Sequence, residues 1–291
     1  MTDISPAETA RGRGTRRSLE SATENTPFPS VPSALVIAHP GHELRVHGWM
    51  CRTRPFTFIL TDGSGRSGKP RLDPTSKILC DAGATPGGLY GRLTDREAYA
   101  LVLNRQFDVF VGLAEELAGS LVEMKVESVA GDAIEGYNPI HDICRFIANS
   151  AVALAEKEMG KRIANFDFPL AGDPSTHGDA DPDSIRLNLD HHEFERKLAA
   201  AQGYAELADE VGATFDKFGA DRFRYESLRP VREAWPEAWT ELGLPAEPPF
   251  YESFGQSRVA TGHYKQVIRY REHVRPLAEA LARRAGFSPG V

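Results

Sequence analysis

From Ser33 onward, short apolar runs alternate with stretches whose large residues recur at helical spacing. Ala34–Ala38 (ALVIA) has no polar position, which suits a strand buried on both faces. Residues 42–53 carry Leu44, Val46, Trp49 and Met50 at spacings that predict a helix. TFILT (57–61) reads as a second buried strand, and the Gly/Pro-rich stretch 62–74 as a flexible, substrate-facing loop. Helical stretches are predicted near 74–83 and 94–119, the latter opening with the capping-box spacing of Thr94 and Glu97. A strand follows at 126–133, then an amphipathic helix at 140–160 that Gly160 stops. Strands at 163–170 and 184–190 flank a polar loop, and 191–219 is helical. The last 70 or so residues end in a helix near 263–285 and read as a cap or an oligomerisation element. Strand–helix alternation of this kind predicts a three-layer α/β fold with a mostly parallel sheet.

Composition narrows the classes. A chain of 291 residues, 41% of them hydrophobic, can bury the core of one large domain. The organisation expected is a disordered tail at 1–30, an α/β domain at 31–219, and a C-terminal extension at 220–291 packed on that domain. A net charge of -7 gives no general attraction to nucleic acid or to anionic membranes. No apolar run reaches the roughly 18 residues of a membrane helix, so no membrane insertion is expected. Arg11, Arg13, Arg16 and Arg17 precede no apolar segment, unlike a secretory signal. Cys51, Cys80 and Cys144 are far apart, with no CxxC, and are expected as free, buried thiols in a reducing cytoplasm.

The chemistry gathers where strands end. In open α/β sheets, sites lie outside the carboxyl ends of the strands. Three such ends here carry reactive groups: His39, His42 and Glu43; Asp62 with its glycine loop; and Asp132 through His141 and Asp142. The spacing His39-x-x-His42 lets two imidazoles face one point, and His141 is the best third ligand from a neighbouring strand. Imidazole suits zinc and also iron, nickel or copper. An isolated H-x-x-H more often has nothing to do with a metal. His47, His177, His263 and His273 read as surface, cap or core residues, and His191-His192 as the start of a helix ahead of a substrate contact.

The strand with AHPGHE (38–43) resembles the AHPDDE signature of the PIG-L/LmbE-like zinc N-deacetylases, which remove acetyl groups from glucosamine-containing conjugates. FILTDGSG (58–65), DREAYALVL (95–103) and GYNPIHDICRFIANSAV (136–152) resemble, in order, that family's second strand, its Arg/Glu helix and its distal HPDH segment. The similarity spans roughly Ser33 to Asp190 and implies a Rossmann-like sandwich. It implies His39, His42 and His141 as ligands of zinc or another divalent transition metal, with His42 in place of an aspartate. Gly41 stands at the catalytic-base aspartate of the family, and Asn138 at its oxyanion-stabilising histidine. A neutral ligand in place of a carboxylate raises the charge at the metal by one and acidifies coordinated water.

The groups left for proton transfer and oxyanion stabilisation are Asp62, Glu43 and Asn138, with Asp132 and Glu135 as weaker acids. Arg96 is a candidate substrate-binding cation, or a partner of Glu43 or Asp95. Asp142 is a candidate to orient a ligand imidazole. The activity expected is metal-dependent cleavage of an N-acyl bond in a small metabolite, by resemblance an amino-sugar conjugate. The competing expectation keeps the fold and changes the chemistry: a different metal-dependent reaction, or sugar binding without hydrolysis.

Overall fold

The computed structural model describes residues 31–65, 67–174, 181–235 and 248–287. The expected disordered tail (1–30) and His177 lie outside them. Seven strands form one sheet: β1 (Ser33–Ile37), β2 (Phe56–Thr61), β3 (Thr85–Leu93), β4 (Ser128–Asp132), β5 (Ala164–Phe168), β6 (Ile185–Asn188) and β7 (Tyr225–Pro230). Their order is β3-β2-β1-β4-β5-β7-β6. The first five are parallel, while β7 runs antiparallel to both β5 and β6. The fold is thus the α/β sandwich with a mostly parallel sheet that the pattern predicts.

The helices are α1 (His47–Thr53), α2 (Leu72–Ala82), α3 (Asp95–Leu103), α4 (Phe107–Glu123), α5 (Pro139–Met159), α6 (His191–Gln202), α7 (Ala208–Phe218), α8 (Phe250–Ala260) and α9 (Arg275–Arg284). β1 shows why two helical layers form. Ala34, Val36 and Ala38 join a core with residues of α4, α5 and α9, while Leu35 and Ile37 join a second core with residues of α1, α2 and α6. Successive strand side chains point to opposite faces, so an unbroken apolar run feeds both.

Several elements differ from the sequence reading. Residues 42–46 wind as a 3-10 turn before α1 begins at His47. The helix expected over 94–119 is two helices, broken where Arg105 takes a left-handed φ of 54°. The stretch 191–219 is likewise two helices, α6 and α7, with a 3-10 turn between them. β3 was not anticipated. Its sequence TPGGLYGRL holds three glycines and a proline, and such a strand persists because it lies at the sheet edge, where Pro86 need not donate. β7 comes from the stretch expected as an extension and enters the sheet itself, between β5 and β6. The final helix is shorter than expected, 275–284, preceded by a wide helical turn at Tyr270–Val274. All three cysteines are free, but only Cys144 is buried; Cys51 is half-buried and Cys80 exposed. No helix among the described residues is long and apolar enough to cross a membrane.

Candidate functional site

The chain runs outward from β1 to β2 and β3, then returns to place β4 on the other side of β1. The crevice at the carboxyl ends of β1 and β4 is therefore a topological switch point, where ligands of such sheets bind. His39 leaves β1 there, and Asp132 ends β4 there. His141 sits in the first turn of α5, the helix that follows β4. Helical side chains lean toward the helix N-terminus, which carries this imidazole back to the sheet edge.

The three imidazoles meet. Ring centroids lie 5.3 Å apart for His39 and His42, 5.0 Å for His39 and His141, and 4.5 Å for His42 and His141, each pair edge to face. The turn that folds His42 back depends on Gly41, whose φ is 107°. A side chain there is strained by the left-handed backbone, and it would also have to push aside the Leu207 side chain, whose Cδ1 would lie 2.3 Å from an added Cβ.

Neighbouring strands orient the rings. Ile37 is paired with Ile59, which sets His39 level with Thr61. His39 Nδ1 lies 2.7 Å from Thr61 Oγ1 and 3.1 Å from Asp95 Oδ1. The Thr61 hydroxyl donates to the Ala38 carbonyl at 3.1 Å, so it accepts from His39 Nδ1–H. His42 Nδ1 donates to Asp132 Oδ2 at 3.0 Å, an oxygen that also accepts from Ala38 N–H at 2.7 Å. Both tautomers are thereby fixed, and Nε2 of each ring keeps its lone pair. Among the described residues, His39 Nε2 and His141 Nδ1 are buried without a hydrogen-bond partner, as are Asp132 Oδ1 and Asp95 Oδ1.

Charge states follow from burial. Desolvation lowers the pKa of His39, with Asp95 opposing it. Desolvation and the two neighbouring imidazoles push His141 well below the ordinary histidine value. Both rings are neutral near pH 7. Burial alone would raise the Asp95 carboxyl, but His39 and the Gly65 N–H outweigh it and hold Asp95 well below the usual range.

These features fit a metal by donor chemistry. Three imidazoles, two of them hydrogen-bonded or ion-paired through Nδ1 to carboxylates, are the donor type a divalent transition ion takes. The nitrogens do not already enclose a common point: among the described residues no three His, Cys, Asp or Glu side chains stand as a finished ligand set.

The other residues singled out from the sequence lie around this cluster with their bonds largely committed. Glu43 is fully buried, accepting from Gly41 N–H through Oε2 (2.7 Å) and from the Thr75 hydroxyl through Oε1 (2.7 Å); burial raises its pKa. Asp62 Oδ1 accepts from Ser64 N–H at 2.9 Å and Asp95 N–H at 3.3 Å, which organises the glycine loop. Asn138 caps α5, its Oδ1 accepting from Ile140 N–H at 2.9 Å and the Tyr99 hydroxyl at 3.3 Å. Its Nδ2 has no partner among the described residues. Asp142 is buried and accepts from Glu135 and Gly136 N–H, at 3.0 and 3.3 Å, and burial pushes its carboxyl up to about 7. It thus ties down the loop before α5, and no bond joins it to an imidazole among the described residues. Glu135 accepts from Leu170 and Ala171 N–H. Arg96 is exposed on α3 and pairs with neither Glu43 nor Asp95 among the described residues.

Two orienting residues escaped the sequence reading. Thr61 looks like the last residue of an apolar strand, and Asp95 like an ordinary first-turn acid beside the Thr94 cap. The signal that would have found both is position: each ends or follows a strand at the edge where His39 emerges. Arg145 was also missed. Its buried guanidinium donates to the carbonyls of Asp132 (2.6 Å) and Phe166 (3.1 Å), locking the ends of β4 and β5 together.

No family model matches the chain, and no curated protein matches it. Solved structures similar to it include a deacetylase triple mutant, Orf2*T, from the teicoplanin biosynthetic pathway, at 11% identity and a TM-score of 0.47. Another is the zinc-inhibited form of teicoplanin deacetylase Orf2, at 11% identity and a TM-score of 0.44. Each likeness covers 68% of this chain and 97% of the other. Both are loose, and neither assigns a reaction or a ligand to this chain.

Proposed function

We propose that this protein is a metal-dependent hydrolase that cleaves the N-acyl bond of a small, amino-sugar-like substrate. The observation that carries the reading is the meeting of His39, His42 and His141 at the switch point, with the first two held in fixed tautomers. These three residues would hold the ion, zinc being the first choice for an all-imidazole set. When bound, it supplies Lewis acidity that polarises the amide carbonyl and acidifies water.

The chain's own groups do the rest. Thr61 and Asp95 keep His39 aimed, and Asp132 keeps His42 aimed. With its Oδ1 held by Ile140 N–H, Asn138 has Nδ2 free to donate to the oxyanion that forms as the carbonyl is attacked. Glu43 and Asp62 Oδ1 are engaged with backbone and hydroxyl donors, whereas Asp132 Oδ1 and Asp95 Oδ1 are buried carboxylate oxygens with no hydrogen-bond donor among the described residues.

That engagement also favours a second reading, in which the site binds an N-acyl sugar without hydrolysing it. Acetate release from a panel of N-acetylated amino sugars, with zinc supplied, separates the two. The hydrolase releases acetate, and His141→Ala abolishes it. No release from any member, together with saturable sugar binding, leaves the second reading standing and overturns the first.

A further inference from the structure

Beneath α7 lies a cavity of about 640 Å³, counted with its open mouth. Its walls are apolar, lined by Leu44, Leu170, Leu198, Leu207, Phe215 and Phe223. Both the size and the make-up, apolar walls with few polar groups, are those of a small-ligand pocket. α7 shows what the cavity does to packing. Its apolar face turns inward, with Val211 and Phe215 against the second core, yet no residue of the helix is buried. A helix seated on solid core would bury such a face; this one roofs a hollow.

One cation at the wall has spare donors. Arg45 is half-buried, in the 3-10 turn that carries His42. Its Nε donates to the Pro169 carbonyl at 3.1 Å, and its guanidinium lies over the Phe223 ring, 5.6 Å from the centroid. Its terminal nitrogens have no partner among the described residues, and no carboxylate there forms an ion pair with it. Burial lowers its pKa against the pull of Glu135, Glu226 and Asp173, so the charge is partly desolvated. The other polar groups of the wall are committed. Lys197 Nζ bonds Glu226 and the Arg45 carbonyl, Glu210 pairs with Arg71, and the Thr214 hydroxyl donates to the Glu210 carbonyl.

We propose that this cavity binds a medium-chain monocarboxylate, its head on Arg45 and its alkyl tail under α7. A planar guanidinium with both terminal nitrogens free matches a carboxylate in the paired, two-bond geometry. The apolar walls match a run of methylenes and hold no second free cation, among the described residues, for a dicarboxylate. Gly41 lines the same cavity, and Leu207 covers it, so the ligand lies against the turn between His39 and His42. The inference does not rest on the metal or the hydrolase reading.

The test is calorimetry of the full chain, zinc-free and zinc-loaded, with hexanoate, octanoate, decanoate and decanol. Decanoate binds at least about tenfold more tightly than hexanoate, because four more methylenes leave water. Its affinity is the same with and without zinc. Decanol binds at least about tenfold more weakly than decanoate, and Arg45→Met erases that difference. Val211→Trp fills the hollow from α7 without removing a hydrogen bond; it abolishes binding of both while the melting temperature holds. Equal affinity for hexanoate and decanoate overturns the proposal, as does decanol binding as tightly as decanoate to the parent. Decanoate binding that survives Val211→Trp overturns it by placing the ligand elsewhere. Binding seen only with zinc overturns it in favour of carboxylate coordination at the histidines. No binding of any chain length overturns it outright.

Discussion

Gly41 illustrates how one position can look like a lost function and be a geometric requirement. The family resemblance places an aspartate there, yet a φ of 107° strains any side chain, and a Cβ would have to displace the end of Leu207. Gly41→Asp should therefore destabilise the fold by about 1–3 kcal/mol, chiefly through left-handed strain. It should not raise acetate release. Urea titration measures the first effect, and a Gly41→Asp protein as stable as its parent would show that the turn relaxes. A second single-residue effect concerns His47, which is buried beside α6 and whose pKa desolvation lowers to about 4. Above pH 6.5 His47 is neutral in both folded and unfolded chains. Below that, the unfolded chain binds a proton that the folded one refuses until about pH 4, so stability falls with pH across this window. Between pH 7 and pH 5 this one group should remove about 2 kcal/mol, at 1.36 kcal/mol per pH unit below 6.5. His47→Gln should lose correspondingly less than the parent over the same interval, and an unchanged pH dependence would contradict the assignment.

The turn that carries His42 is anchored by β7 and α6. Glu226 on β7 accepts from Gly48 and Trp49 N–H, both at 2.8 Å, where α1 begins. The same carboxylate pairs with Lys197 of α6 at 2.8 Å, and Lys197 donates to the Arg45 carbonyl at 3.1 Å. Both charged groups are buried, so removing one strands the other. Glu226→Gln alone should lower stability by about 3–5 kcal/mol, and adding Lys197→Met should recover much of the loss. A double-mutant cycle in denaturant reads this directly; simple additivity of the two losses would contradict the coupling. None of it was legible in the sequence, because Glu226 lies on a strand whose six residues, YESLRP, have too weak an apolar alternation to announce it. β3 hid for the same reason, its glycines and proline reading as loop. β1, β2 and β4, buried on both sides, were legible as short apolar or small-residue runs, and β5 and β6 as the strands flanking a polar loop.

The architecture explains which part of the site the sequence disclosed. Strand–helix alternation predicts a sheet whose carboxyl edge gathers the loops, and the H-x-x-H spacing with the family resemblance then singles out His39, His42 and His141 among the groups there. It does not give the order of strands, and the order decides which residues orient the imidazoles. Only with β1 between β2 and β4 does Thr61 stand beside His39 and Asp132 beside His42. The central claim is that these three histidines form one metal site. Its most direct measurement is zinc stoichiometry by elemental analysis after loading and exhaustive dialysis, on the parent, on each single His→Ala variant and on the exposed control His191→Ala. One zinc per chain in the parent and the control, with near-complete loss in His39→Ala, His42→Ala and His141→Ala, is the predicted result. A His42→Ala protein that retains a full equivalent of zinc while folded would contradict it.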